Sequence, residues 1–234
     1  MPTTITYEER RGQLLQYFDR TAADAWKRLT SDVPVSGVRA TVREGRRQMR
    51  NTLLSWLPDD LSGLRILDAG CGTCVLAAEL ASRGADVLAI DLSPTLVRLG
   101  EERFAGQVPR GRIEFAVGDF ADPALGQFDH VVAMDSLIHY GAEDTVHALA
   151  ELGARTRRSI CFTYTPSNLL LTTMLAVGRL FPRGDRSPAV VPIQRRHLLN
   201  LLAEPDRAPH LIPARSDRVA HYFYTSQALE VLCA

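Results

Sequence analysis

The chain has 234 residues, 46% of them hydrophobic, and its 27 Lys and Arg balance 27 Asp and Glu. That composition suits a globular protein with one good-sized core and excludes a disordered or low-complexity polymer; no apolar run is long enough to span a membrane. The charge is segregated, with net values of +4 over residues 1–58, −10 over 59–154 and +6 over 155–234. An acidic centre argues against a nucleic-acid surface there, and the basic flanks suit an anionic ligand at the mouth of the site.

The polar first residues do not read as a signal peptide, and four scattered cysteines suit a reducing compartment. Leu14, Leu15, Tyr17, Phe18, Ala22, Ala25, Trp26 and Leu29 form a helical stripe, broken by Pro34 and Gly37. A second helix is predicted from Val38 to Trp56, stopped by Pro58, so that residues 1–58 read as a helical arm. The core follows as alternating elements over 59–165. Strands are predicted at 65–69, 86–90, 112–117, 129–134 and 158–164, and helices at 74–83, 94–104 and 143–154. Ser93 and Pro94 supply a cap and a first helical residue. Residues 169–181 then read as a strongly apolar helix, 182–192 as a loop, and 193–203 as a short helix. This makes 166–205 a helical cap inserted after strand five. Residues 206–234 hold a closing antiparallel hairpin, predicted at 211–215 and 221–231.

The densest information lies in Ile66-Leu67-Asp68-Ala69-Gly70-Cys71-Gly72-Thr73-Cys74. It is a buried strand, a glycine turn and a helix start. Asp91 ends the next apolar run and Asp119 follows the third. Open α/β sheets bind ligands outside the carboxyl ends of their strands, and glycines there let the backbone turn and a ligand approach. Three acids at successive strand ends therefore suggest a nucleoside-binding edge, with spacing similar to the class I S-adenosylmethionine-dependent methyltransferases. The helix N-terminus suits the amino-acid carboxylate of that cofactor. Asp91 is placed to accept from the ribose hydroxyls, and Asp119 from the adenine amino group. A nicotinamide dinucleotide site is the competing reading, but its third glycine is replaced by Val75. Candidate cofactor contacts are Asp68, Gly70, Gly72, Asp91, Leu92, Asp119, Phe120 and Met134. Cys71 and Cys74 form a Cys-x-x-Cys, which is read as a redox pair, half a zinc site or two small packing residues. No metal site is expected.

Further blocks fall in order along nearly the whole chain: Tyr17-Phe18-Asp19, Trp26-Lys27-Arg28, Val42-Arg43-Glu44-Gly45, Asp68 to Thr73, Met134 to Tyr140, Leu180-Phe181-Pro182 and Phe223-Tyr224-Thr225-Ser226. In this the chain resembles the magnesium-protoporphyrin IX O-methyltransferases of bacteriochlorophyll biosynthesis. The resemblance implies an α/β fold of the Rossmann-like methyltransferase type. Its mostly parallel seven-stranded sheet would carry helices on both faces. It implies methyl transfer from S-adenosyl-L-methionine, leaving S-adenosyl-L-homocysteine, to one propionate of magnesium-protoporphyrin IX. It further implies partnership with the large, porphyrin-carrying subunit of magnesium chelatase. The expected location is the cytoplasm, with peripheral contact to the photosynthetic membrane left open.

The resemblance also carries His139 over as a catalytic residue. Some relatives have a catalytically implicated tyrosine at the position of Thr30, so Tyr17 is the substitute considered. Where relatives usually have glycine, Cys74 is expected to point toward the helix-packing face. Phe18, Tyr164, Met174, Phe181 and Tyr222 are candidate apolar walls for a flat macrocycle, with core packing as the alternative for each. Arg43 and Arg179 are candidates for the second propionate. Asp135 reads as a partner for His139 or as a strand-end cap.

Overall fold

Short apolar runs that end in an acid or a glycine become strands covered on both faces, because only the interior of a parallel sheet hides both sides of a strand. The computed structural model describes residues 7–20, 37–167 and 190–234. In chain order its elements are α1 (Tyr7–Arg20), α2 (Val38–Ser55), β1 (Arg65–Ala69), α3 (Val75–Ser82), β2 (Asp86–Asp91), α4 (Pro94–Phe104), β3 (Arg112–Val117), β4 (Phe128–Ala133), α5 (Ala142–Gly153), β5 (Thr156–Tyr164), α6 (Arg195–Leu202), β6 (Leu211–His221) and β7 (Tyr224–Cys233). The strands form one seven-stranded sheet in the order β3-β2-β1-β4-β5-β7-β6. The first five are parallel, and β7 runs antiparallel to both β5 and β6. The order reverses between β1 and β4, and a ligand crevice opens at such a switch point.

Alternation along each strand divides the core. Leu67, Leu88, Val131, Ile160 and Phe162 pack beneath α5 and α6. Ile66, Val87, Ala89, Val132 and Cys161 face α2 and α3. Both predicted appendages are therefore partly core. Met49, Leu53 and Leu54 bury α2 against the sheet, and Leu14 of α1 joins the core on the other face. Likewise Leu198, Leu201 and Leu202 bury α6, and Ile193 pairs with Pro166. The apolar stretch 169–181 and the loop to residue 189 lie outside the described residues.

The closing hairpin is longer than its apolar pattern indicates. β6 reaches His221, with a register shift between Pro213 and Ser216. Ser216, Asp217 and Arg218 are solvated on an edge strand, where no alternation is required. β5 starts at Thr156, paired with Phe128, two residues before its apolar run.

Gly45 shows how tightly α2 sits on this hairpin. A Cβ there would lie 2.5 Å from Cδ1 of Tyr224. Ala normally stabilises a helix interior by about 1 kcal/mol over Gly, but overpacking costs about 1–3 kcal/mol. Gly45→Ala is expected to be net destabilising, with a lower midpoint in thermal or urea unfolding.

Candidate active site

The crevice is a cavity of about 250 Å3 at the carboxyl ends of β1, β2 and β4, walled on one side by α2. Asp68 lies at its floor, 2% exposed, and its Oδ2 has no hydrogen-bond partner among the described residues. Burial pushes this carboxyl up to about 7, and the nearby Asp91 carboxylate adds to the shift. The turn after β1 is pinned from β2: the backbone N–H groups of Gly70 and Cys71 both donate to the Ile90 carbonyl, at 2.9 and 3.0 Å. Gly70 has φ 77° and Gly72 φ 54°, a left-handed backbone that suits glycine. At Gly70 a Cβ would also strike the Ser136 side chain.

Asp91 closes the turn from the other side. Its Oδ2 accepts from the Gly72 N–H and its Oδ1 from the Ser93 N–H, each at 2.9 Å. Burial raises its carboxyl, opposed by those backbone bonds. Leu92, Phe120 and Met134 complete the apolar part of the wall. Thus the predicted Asp68, Gly70, Gly72, Asp91, Leu92, Phe120 and Met134 are brought together around one cavity. His139 joins them from the short 3-10 turn after β4, 5% exposed. Arg43 joins from α2 with Arg46, Arg47 and Arg50, a row at spacings of three and four that puts them on one helical face.

Several predicted residues lie elsewhere. Asp119 does not line the cavity; its Oδ2 accepts from Arg11 of α1 at 2.9 Å and its Oδ1 from the Ala121 N–H. Tyr17 is half-buried on α1 and is not on the cavity wall. Tyr164 is fully buried among Phe162 and its core neighbours, because β5 is covered on both faces. Tyr222 is 82% exposed at the hairpin turn, where φ 49° aims it outward. The Phe18 side chain, Thr30, Met174, Arg179 and Phe181 lie outside the described residues.

Cys74 behaves as a packing residue. It caps α3 with φ 58°, the backbone geometry for which glycine is the usual choice. Its thiol is buried and turned to α4, where Gly100 has room for it only by lacking a Cβ. The Cys74 thiol donates to the Cys71 sulfur at 3.4 Å without a disulfide, and burial pushes the Cys71 thiol up, away from the reactive thiolate.

The feature that sequence reasoning misses is a polar knot around Asp135. This residue has φ 57° just past β4. Its carboxylate accepts from Arg46 and from the Tyr224 hydroxyl, the latter at 3.0 Å, and its N–H donates to Thr163 Oγ1 at 2.7 Å. The described contacts of Asp135 are thus with α2, β5 and β7, a set that neither the pairing with His139 nor the strand-end cap anticipates. Tyr224 belongs to one of the ordered sequence blocks and stands two positions from the candidate Tyr222. Only strand pairing shows that Tyr224, not Tyr222, turns inward.

Buried polar atoms are ordinarily satisfied. Here Asp68 Oδ2, Thr73 Oγ1 and Ser136 Oγ all line the cavity without a partner among the described residues. An acceptor carboxylate and two hydroxyls beside a glycine turn fit a zwitterionic amino acid, and Asp91 beyond them fits a ribose. The residues present therefore fit S-adenosylmethionine.

Comparison with known proteins agrees. Residues 133–232 match the model of the magnesium-protoporphyrin IX methyltransferase C-terminus, and residues 66–158 match a methyltransferase domain. The magnesium-protoporphyrin O-methyltransferase of Rhodobacter capsulatus is 52% identical over 225 residues, which are 96% of this chain and 97% of the relative. The chain belongs to the magnesium-protoporphyrin O-methyltransferase family. The Synechocystis member is 29% identical over 92% of this chain and 93% of its own. A crystal structure of the magnesium protoporphyrin IX methyltransferase from Synechocystis PCC 6803 with bound SAH superposes with a TM-score of 0.83 at 28% identity. It covers 96% of this chain and 100% of that one. In this family the Rossmann-like sheet, the glycine turn and the sulfonium cofactor go together, and the dinucleotide reading is set aside.

Proposed function

We infer that this chain transfers the methyl group of S-adenosyl-L-methionine to one propionate carboxylate of magnesium-protoporphyrin IX, giving the monomethyl ester in bacteriochlorophyll biosynthesis. The observation that carries this reading is the set of three unpartnered oxygens in a cavity whose other wall is a row of arginines. One end is built for a zwitterionic nucleoside and the other for an anion.

The cofactor supplies an electrophilic methyl on a sulfonium. A propionic acid, like a Glu side chain, has a pKa of roughly 4.3 and is ionised at neutral pH, so no general base has to create the nucleophile. The protein's task is to hold the carboxylate in line at about 3–3.5 Å and to keep water off it. His139, buried at the cavity wall, orients that carboxylate by a hydrogen bond. Arg43 takes the second propionate as a charge-assisted pair. The magnesium ion belongs to the substrate.

Incubation with magnesium-protoporphyrin IX and S-adenosylmethionine, followed by mass analysis, tests the assignment; a product other than the singly methylated porphyrin would refute it. His139→Ala is expected to lower kcat by up to about a hundredfold through lost orientation, with affinity for S-adenosylhomocysteine close to the parent by calorimetry.

Partnership with the large, porphyrin-carrying subunit of magnesium chelatase belongs to the same reading. Its support is the family resemblance and the need to pass a flat apolar macrocycle without releasing it to water. A cytoplasmic location with peripheral membrane contact belongs to it too. Among the described residues no helix is long and apolar enough to cross a membrane.

A further inference from the structure

Four arginines of α2 face the cavity, yet the reaction is harmed by a strong cation on the reacting carboxylate. Attack by the carboxylate oxygen forms a C–O bond and breaks the C–S bond, and the bonding pair leaves with sulfur. A carboxylate and a sulfonium become a neutral ester and a neutral thioether, and no proton moves. An arginine paired with the carboxylate would stabilise the ground state more than the transition state, which lowers kcat. The arginines must therefore be differentiated, and the structure differentiates them.

Arg47 is half exposed and pairs with Glu44 on its own helix, and Arg50 pairs with Glu79 at the rim. Glu44 and Glu79 are 36% and 38% exposed, and a pair to so solvated a carboxylate holds a side chain only weakly. Arg46 and Arg50 are equally covered, at 19% and 20% exposed, but the Asp135 side chain that Arg46 faces is 5% exposed whereas Glu79 is 38% exposed. Asp135 is itself fixed by the Tyr224 hydroxyl and by Thr163. Burial and the Asp135 carboxylate both raise the Tyr224 phenol, so it remains a donor throughout the working pH range. Asp135 lies directly between Met134, on the cofactor side, and Ser136, whose unpartnered hydroxyl lines the same cavity.

We propose that Asp135 is a positioning residue for the methyl transfer: it sequesters the Arg46 guanidinium so that the acceptor carboxylate next to the cofactor is not captured as an ion pair. Tyr224 and Thr163 hold Asp135 in place, and the arginine row beyond Arg46 remains for the distal propionate. This assignment rests on the carboxylate methyltransferase reading above, and the wild-type reaction tests that reading separately.

The experiment compares wild type, Asp135→Asn and the double variant Asp135→Asn with Arg46→Gln. Binding of magnesium-protoporphyrin IX and of its dimethyl ester is followed by fluorescence without cofactor, and kcat and KM with it. Asp135→Asn is expected to bind the diacid about five- to tenfold more tightly and to leave the diester unmoved. Its kcat should fall by about tenfold while KM also falls. Adding Arg46→Gln is expected to recover most of both changes. A merely structural Asp135 would weaken porphyrin binding or leave it unchanged as kcat falls, and that result overturns the proposal. If Asp135→Asn alone does not fold, the double variant decides. A diacid-to-diester affinity ratio equal to wild type supports the proposal, because Arg46 is then silent toward the substrate. A collapse of that ratio shows that Arg46 binds the carboxylate and overturns it. An inactive wild type would instead reject the functional assignment on which all three comparisons stand.

Discussion

Asp91→Ala is expected to weaken S-adenosylhomocysteine binding by roughly 10²- to 10³-fold, measured by calorimetry. Two contributions add. Hydrogen bonds from ribose hydroxyls to a carboxylate are worth about 1.5–3 kcal/mol each, and Asp91 lines the cavity where they would form. The same carboxylate also holds the Gly72 and Ser93 N–H groups. Removing it frees the glycine turn from β2 and leaves those donors unsatisfied. Asp91→Asn separates the two effects, since an amide oxygen keeps one acceptor for the turn. Its loss of affinity is expected to be smaller, about tenfold, with thermal stability between those of the parent and Asp91→Ala, because the amide NH2 faces one of the two N–H donors. Unaltered affinity in Asp91→Ala would mean that the cofactor does not lie along β2.

Cofactor affinity is expected to depend on pH through Asp68, and the sign follows from the site. Burial raises this carboxyl to about 7 in the ligand-free protein, far above a model carboxylic acid near 3.9. Between those values the folded state holds a proton that the unfolded chain has released. The stability of the ligand-free protein therefore falls as pH rises through that window. The amino group of S-adenosylhomocysteine is cationic and favours the carboxylate form. Binding must then expel the proton at pH below 7, and affinity should rise by up to about tenfold per pH unit toward pH 7 before levelling. Asp91, also raised by burial, acts in the same direction, so the control is Asp68→Asn. That variant should bind weakly and lose most of the slope. Calorimetry between pH 5.5 and 7, in buffers of different ionisation enthalpy, reads both the slope and the released proton. A flat profile in the parent would show that Asp68 does not face the ammonium group.

The parts of the site that sit on a single strand end are legible in the sequence. Asp68, Gly70, Gly72 and Asp91 stand where a buried parallel strand must stop and turn, and that turn is encoded within about 25 contiguous residues. Met134 and His139 are legible for the same reason, one strand further along. The strands themselves are visible because burial on both faces demands continuous apolar runs. Edge strand β6 extends beyond its apolar residues because exposure on both sides makes no such demand.

Residues that depend on long-range contacts are not legible in this way. Asp119 carries a suitable side chain at a suitable strand end, and its ion pair with Arg11, 108 positions earlier, is visible only in the fold. Tyr164 and Tyr222 have the aromatic surface of a macrocycle wall, but one is sealed by neighbours of β5 and the other is turned outward by a left-handed hairpin residue. Helix α2 reads as an appended arm from its polar content, although Met49, Leu53 and Leu54 make it part of the core.

Primary structure specified the strands, the glycine turn and the cofactor class, because each is written in adjacent residues, and the family, because its blocks keep their order along the chain. Tertiary structure alone decided which charges neutralise one another. The Arg46–Asp135–Tyr224 knot draws on three elements spread over 178 positions between Arg46 and Tyr224. A guanidinium, a carboxylate and a phenol interact through space at about 3 Å, a distance on which order along the chain has no bearing.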